Sequence, residues 1–404
     1  MAGPVRTLKP RPWMRDAATR RVMRALTAPD AEPRFVGGAV RDALLGRLPR
    51  EIDIATPLEP DAVMRLLSAA GIRAVPTGIA HGTVTAATPK RMFEITTLRR
   101  DVETDGRHAK VAFGVDWAAD AQRRDFTMNA LSLDRHGRLY DDVGGLADLK
   151  AGRVRFVGDP ATRIREDVLR LLRYYRFFAH YGTGGGDRAA RAACRAAARL
   201  LPTLSAERIA AEFLKLLAAP DPLPALRMMQ ADGVLKALLP ESVGVARLRR
   251  LIAIEPAADP IRRLAALIAR DADTVADRFK LSGAQRERLE ALLAKPAIAL
   301  DADRAAQRRA LYCWGPAVYA DRVLLAAAAR PRPHGVRKLL RLAQSWKSPR
   351  FPLRGRDLLA AGVAPGPEVG VLLAALEAWW IKGDFRATAA RCRAELRRRL
   401  ARHG

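Results

Sequence analysis

Alternating apolar and polar positions mark the first third of the chain. Phe35-Val36, Glu51 to Ala55, Gly82 to Ala86, Met92 to Thr97 and Val111 to Phe113 have the short apolar or period-two pattern of strands. Asp61 to Ala70 instead has helical spacing and is closed by Gly71. Trp13, Ala17, Met23 and Leu26 predict one side of a first helix. From about Asp159 the strand pattern vanishes. Leu, Ala and Arg then recur at helical spacing to the end, with breaks at Pro202, Pro220 to Pro224, Pro240, Pro331 to Pro333 and Pro365 to Pro367. Gly182 to Gly186 reads as a short flexible linker. The pattern predicts an α+β fold. A head with a small mixed β-sheet occupies residues 1–155, and an all-helical neck (156–220) and an all-helical body and tail (221–404) follow.

The most informative stretch runs from Arg34 through Gly37-Gly38-Ala-Val-Arg41-Asp to Gly46, followed by Glu51-Ile-Asp53-Ile-Ala-Thr56. It reads as strand, glycine turn, short helix, then a strand carrying two carboxylates. Alternate side chains of a strand share a face, so Glu51 and Asp53 point one way while Ile52 and Ile54 enter a core. Two acids side by side are costly unless a cation sits between them. Gly37-Gly38 leaves room for a phosphate to approach the backbone, and Arg41 adds charge to that contact. Carboxylates beside a phosphate cradle point to metal-assisted nucleotidyl transfer. Taken singly, a Gly-Gly is an ordinary turn and an acid-x-acid strand an ordinary solvated edge.

Charge strengthens this picture. Lys and Arg number 71 against 43 acids, a formal charge of +28, which fits a polyanionic partner. Part of that excess also fits an Arg-rich drift that merely solvates helices. No apolar run approaches the ~20 residues that span a bilayer, so no membrane partner is expected. Cys194, Cys313 and Cys392 have no metal-ligand spacing and form no disulfide framework, which fits a reducing, cytoplasmic setting. The basic N-terminus, Arg6 to Arg24, faintly resembles a transit peptide but lacks an apolar core for secretion, and the first-helix reading is preferred.

Gly-Gly-x-Val-Arg-Asp-x-Leu-Leu-Gly, then acid-x-Asp-x-Ala-Thr, resembles the first motif of the class II tRNA nucleotidyltransferase family, which includes CCA-adding enzymes and bacterial poly(A) polymerases. The resemblance covers about residues 34 to 217, with five motifs in order. It implies that Glu51, Asp53 and Glu94, the last within Met92-Phe-Glu-Ile-Thr-Thr-Leu98, hold two Mg²⁺ ions. The family usually has Asp where Glu51 stands. Glu is one methylene longer and must fold back to ligate, and activity is expected to survive.

Arg123-Arg124-Asp125-Phe-Thr-Met-Asn129 resembles the second motif, which contacts ribose and phosphates. The resemblance implies arginines on phosphate oxygens and Asp125 accepting from a 2′-hydroxyl. Read alone, the segment is two solvated arginines before an ordinary helix. Tyr140 to Leu149 resembles the third motif, with Gly144-Gly145 either a hinge or a plain turn. Gly158 to Arg173 opens a helix with Asp159 as N-cap and Pro160 first, burying Ile164, Val168, Leu171, Leu172 and Tyr175. It resembles the fourth, nucleotide-reading motif. Asp167 and Arg170 are three apart on one face, a surface ion pair in the plain reading. In the family reading Asp167 accepts from the exocyclic amine of C or A and Arg170 donates to the ring nitrogen. Arg173 stacks on the base or touches phosphate. Ser205 to Lys215 resembles the fifth motif, a bracing helix.

Val75 to Thr85 looks like the CCA-adding type, and the polar loop from Leu98 to Ala112 is of full length. The resemblance therefore implies CCA addition to tRNA from CTP and ATP, with the basic body, including the tail Arg386 to Arg402, on the tRNA. That tail also reads as a solvated helix. The alternatives are a poly(A) polymerase, a CC- or A-adding enzyme, and an inactive RNA-binding homologue. Oligomeric state is not legible.

Overall fold

The computed structural model describes residues 3–402 apart from 30, 80, 81, 106 and 107, and for 100–105 and 108–112 it describes the backbone alone. Its strands are β1 Arg6–Thr7, β2 Arg34–Val36, β3 Asp53–Thr56, β4 Arg73–Gly78, β5 Thr83–Ala87, β6 Met92–Thr97, β7 Arg99–Asp105, β8 His108–Phe113, β9 Ser132–Leu133 and β10 Arg138–Tyr140. Eight form one sheet in the order β1-β10-β9-β2-β3-β6-β5-β4, and β7 pairs with β8 as a separate hairpin. The pair β3 and β6 is parallel, and the other pairs of the sheet are antiparallel. No strand follows β10 among the described residues, as the α+β reading requires.

Register explains why this sheet has two unlike faces. Phe35 lies opposite Ile54, Ile54 beside Ile95, and Ile95 opposite Val84. All four are at most 1% exposed, and each such side chain contributes about 1.5–3 kcal/mol on burial. The other face carries Val36, Asp53, Glu94 and Thr85 in one row. The crossover from β3 to β6 contains the helix Pro60–Ala69, which buries Val63 and Leu67 and ends before Gly71 at φ 66°.

The expected strand from Glu51 begins instead at Asp53, and Glu51 lies before it, exposed. The reason is its neighbour. β2 ends at Val36, paired with Asp53, because Gly37 turns away at φ 64°, ψ −130°. Nothing of β2 remains to pair with Ile52 or Glu51. Ile52 is nevertheless buried, as expected. The first helix is divided at Asp16 into Pro12–Arg15 and Ala17–Ala25, with Trp13, Met23 and Leu26 buried but Ala17 exposed. The expected polar loop from Leu98 is largely the β7–β8 hairpin. The side chains of 100–112, like Ala80 and His81 in the Val75 to Thr85 stretch, lie outside the described residues.

Residues 1–240 form one compact unit and 241–404 another. Within the first, Phe126 and Phe156 pack at 4.7 Å between ring centroids and Phe126 meets Phe177 at 5.0 Å, joining head to neck through a shared aromatic core. Gly182 to Gly186 is no free linker. Thr183 donates its N–H to the Gly152 carbonyl (2.8 Å), and Arg191 donates to the Gly185 carbonyl (3.2 Å). Gly144-Gly145 resolves as a bonded turn. Asp141 accepts from the Gly145 and Leu146 N–H groups at 2.8 and 2.9 Å. A Cβ on Gly145 would stand 2.1 Å from the Thr127 carbonyl oxygen. Gly145→Ala is therefore expected to cost at least about 2 kcal/mol of stability, read as a lower urea midpoint, since backbone on both sides must move.

The second unit is helical throughout its described elements. Several of its arginines are internal. Arg262, 6% exposed, donates to Glu255 and Asp321 at 2.7 Å each, and Arg322, 3% exposed, donates to the Ala294 carbonyl at 2.6 Å and lies over Trp314. These cations hold helices together, so part of the net charge is structural.

Candidate active site

Asp53 and Glu94 are register partners on adjacent parallel strands, so their carboxylates share a face. Burial, then Glu94, then Glu51 push the Asp53 carboxyl up to about 6, with Arg124 opposing them. Asp53 and Glu94 are thus adjacent, and Glu51 acts on Asp53 electrostatically from outside the strand. Among the described residues no group of three or more His, Cys, Asp and Glu stands close enough to hold an ion as placed. The donor chemistry still fits one. Hard carboxylate oxygens carry surplus negative charge that Arg124 alone opposes, and Glu51 has a longer side chain with which to fold in.

The glycine turn lies directly over Asp53. A Cβ on Gly37 would be 3.6 Å from Asp53 Oδ2 and 3.7 Å from Arg124 Nη1, so a phosphate at this backbone meets both the acids and an arginine. Gly38 starts the helix Gly38–Leu44. Arg124 is held in place by Asp120, whose Oδ2 accepts from Arg124 Nε and Nη2 at 3.1 and 2.9 Å. Asp120 Oδ1 accepts from Arg123 Nε at 2.8 Å. Burial raises the Asp120 carboxyl, but the two arginines outweigh it and hold it below the usual range. The sequence reading missed Asp120. The signal was there, because Asp120 stands three and four residues before the two arginines. In the nucleotidyl-transfer reading that the sequence motifs imply, Asp120→Asn is expected to lower kcat/KM for the nucleoside triphosphate about tenfold or more, since Arg124 loses its charged anchor. Steady-state kinetics at fixed acceptor concentration checks this.

Arg41, Asp125, Asn129 and Arg173 form a chain instead of an open row. Arg41, 7% exposed, donates to Asn129 Oδ1 (2.8 Å) and stacks 4.1 Å from the Tyr181 ring centroid. Asn129 Nδ2 donates to Asp125 Oδ1 (3.1 Å), which also accepts from the Phe126 N–H (2.8 Å). Asp125 Oδ2 accepts from Arg173 Nε (2.8 Å) and Nη2. Burial raises the Asp125 carboxyl, but Arg173 and the other donors hold it below the usual range. All four of its acceptor positions are taken, so a 2′-hydroxyl must displace one. Arg173 makes this bond between the two segments.

The expected single helix from Asp159 is two, Pro160–Glu166 and Leu169–Tyr181, broken at Asp167 (φ −153°, ψ 107°). At the break the Asp167 carboxylate accepts from the Leu169 N–H (3.1 Å), a local bond that competes with a continuous helix. Ile164, Leu171, Leu172 and Tyr175 are buried as expected, and Val168 is half-buried. The direct Asp167–Arg170 ion pair is replaced by two others. Asp167 Oδ2 accepts from Arg208 Nη2 (2.8 Å), and Arg170 donates to Glu166 and to the Arg163 carbonyl (3.1 Å). Arg208 comes from the bracing helix Ala206–Leu217, whose Glu212 also accepts from Arg176 at 2.6 Å. Glu166 and Arg208 are supports that the sequence reading did not single out.

An acid pair on a mixed sheet, beneath a glycine turn with an anchored arginine, defines a nucleotidyltransferase. Residues 33–155 match the family described as the Poly A polymerase head domain, and 187–243 match the one described as the probable RNA and SrmB-binding site of polymerase A. The chain is 35% identical over 379 residues to the mitochondrial CCA tRNA nucleotidyltransferase 1 of Danio rerio, covering 88% of this chain and 84% of that one. It is 42% identical over 212 residues to the CCA-adding enzyme of Anoxybacillus flavithermus, 52% of each chain. The crystal structure of the Bacillus stearothermophilus CCA-adding enzyme in complex with CTP superposes with a TM-score of 0.79 at 28% identity, covering 97% of this chain and 99% of that one. The chain belongs to the tRNA nucleotidyltransferase and bacterial poly(A) polymerase family.

Proposed function

We propose that the chain adds C, C and A in turn to the 3′ end of tRNA, using CTP and ATP without a nucleic-acid template and releasing pyrophosphate. One observation carries the reading: Asp53 and Glu94 in register beneath the Gly37 turn. The near-full-length likeness to the Danio rerio enzyme and the fold shared with a CTP-bound CCA-adding enzyme support the choice of reaction.

In this reading Gly37 and Gly38 admit the triphosphate to the backbone, and Arg124, fixed by Asp120, neutralises its oxygens. Glu51, Asp53 and Glu94 would hold Mg²⁺. Bound there, the metal supplies Lewis-acid activation of the attacking hydroxyl and charge stabilisation at the phosphates. Asp167 and Arg170, positioned by Arg208 and Glu166, read the amine donor and ring-nitrogen acceptor that C and A share and that U and G present in reverse. Arg41, Asn129, Asp125 and Arg173 tie the phosphate turn to the reading segment. We divide the chain into a catalytic head (1–155), a selecting neck (156–220) and a tRNA-binding body (221–404). No described helix is long and apolar enough to cross a membrane, and the free cysteines fit a cytoplasmic setting.

The test is incubation with tRNA lacking its terminus plus CTP and ATP, and separately with generic RNA plus ATP. Three added nucleotides on tRNA support the reading. A long homopolymer on generic RNA would make the protein a poly(A) polymerase, and an incomplete end a partial adder.

A further inference from the structure

The sheet face bearing Asp53 and Glu94 continues past them, and the mechanism above leaves the rest unused. Register places Thr85 opposite Glu94 and Thr83 opposite Thr96 on that face. The Thr77 and Thr85 hydroxyls are 2.8 Å apart, and those of Thr83 and Thr96 are 3.5 Å apart. Thr77 is exposed and the other three are half-buried. A hydroxyl has one donor and two acceptor positions, so each pair keeps capacity for a ligand. Met92 is 71% exposed and shares the face of Glu94, two residues before it on β6.

Direction decides what lies here. The glycine turn and Arg124 stand on the β2 side of Asp53, and Glu94 stands on its β6 side. A triphosphate held by the turn has its leaving pyrophosphate toward β2. In-line displacement puts the attacking and leaving oxygens on opposite sides of phosphorus. The attacking oxygen therefore arrives over Glu94, and the nucleotide bearing it extends over β5 and β4.

Resting on the nucleotidyl-transfer reading, we propose that Thr77, Thr83, Thr85 and Thr96 seat the terminal ribose of the acceptor RNA. Neutral hydroxyls suit a ribose 2′-hydroxyl, which both donates and accepts, and Met92 suits the sugar or base edge. In the step served, the ribose 3′ oxygen bonds to the α-phosphorus and the bond to the bridging oxygen breaks. Pyrophosphate leaves with that electron pair, and the hydroxyl proton goes to water.

The test uses Thr85→Val and the double variant Thr83→Val/Thr85→Val, which keep the β-branch suited to a strand. On tRNA lacking its terminus, kcat/KM for the tRNA is expected to fall roughly threefold to tenfold per hydroxyl lost. The dissociation constant for CTP, measured without tRNA, stays unchanged. A tRNA primer ending in 2′-deoxyribose costs the parent a similar factor and costs the double variant nothing further. Parental kcat/KM in the variants, equal losses on both primers, or a weakened CTP affinity with unchanged primer dependence would each overturn the assignment. If the parent itself incorporates no CTP, the functional reading fails separately. Fluorescence anisotropy of labelled tRNA with a ribose or deoxyribose end then decides the seat. A preference for ribose in the parent that the double variant loses supports it, and an equal preference in both overturns it.

Discussion

Asp53→Asn is expected to destroy nucleotide transfer and, at neutral pH, to make the protein more stable. The loss in rate should be roughly a thousandfold or more if Asp53 holds the metal as proposed, because such a carboxylate contributes several kcal/mol to the transition state. The gain in stability follows from burial and from the neighbours Glu94 and Glu51, which together push the Asp53 carboxyl up from 3.8 to about 6. Between about pH 4 and 6 the folded protein retains a proton that the unfolded chain has released. Stability due to this group is thus full below about pH 4, falls as pH rises through 6, and is at its lowest above that. Asparagine has the same shape and no charge, so it removes the penalty, on the order of 1–3 kcal/mol. Urea unfolding at pH 4 and pH 8 in a chelator should show parent and variant converging at the lower pH and the variant ahead at the higher. Equal stability at both would mean that neither burial nor the neighbouring acids raise the Asp53 carboxyl.

The second large effect concerns choice of base. Asp167→Ala is expected to relax rejection of UTP by roughly tenfold to a hundredfold, because each base whose polar edge goes unpaired loses about 1–3 kcal/mol. Asp167 spends one position on Leu169 and one on Arg208, which leaves an acceptor on each oxygen for a base. Arg208→Ala should therefore relax selection in the same direction but less, since Asp167 remains and only its aim is lost. Single-turnover incorporation of each of the four nucleotides checks both. Unchanged UTP rejection in Asp167→Ala would remove this segment as the reader.

The core of the head was legible because period-two burial leaves a mark in composition. Phe35, Ile52, Ile54 and Ile95 alternate with residues of the other face, and the acids at 53 and 94 follow from that alternation. The short strands β1, β9 and β10 left no mark, being two or three residues long, with the pairs β1–β10 and β9–β2 joining segments distant in sequence. The site was legible as a set of residue types but not as a set of bonds. Motif order could not show that Asp125 is saturated by Arg173, Asn129 and the Phe126 N–H, or that Arg170 turns to Glu166. Which arginine meets which carboxylate depends on how head and neck pack. Asp167 is the clearest instance. Apolar spacing runs unbroken across it, yet its own carboxylate competes for the backbone and divides the helix.

The central claim is that Glu51, Asp53 and Glu94 together hold divalent ions beside the triphosphate. Titration of the parent, Asp53→Asn and Glu94→Gln with Mn²⁺ in the presence of CTP, followed by the loss of the free-ion paramagnetic signal, tests it most directly. Saturable binding in the parent that is weakened at least about tenfold in both variants is the predicted result. Equal affinity and stoichiometry in all three proteins would contradict it.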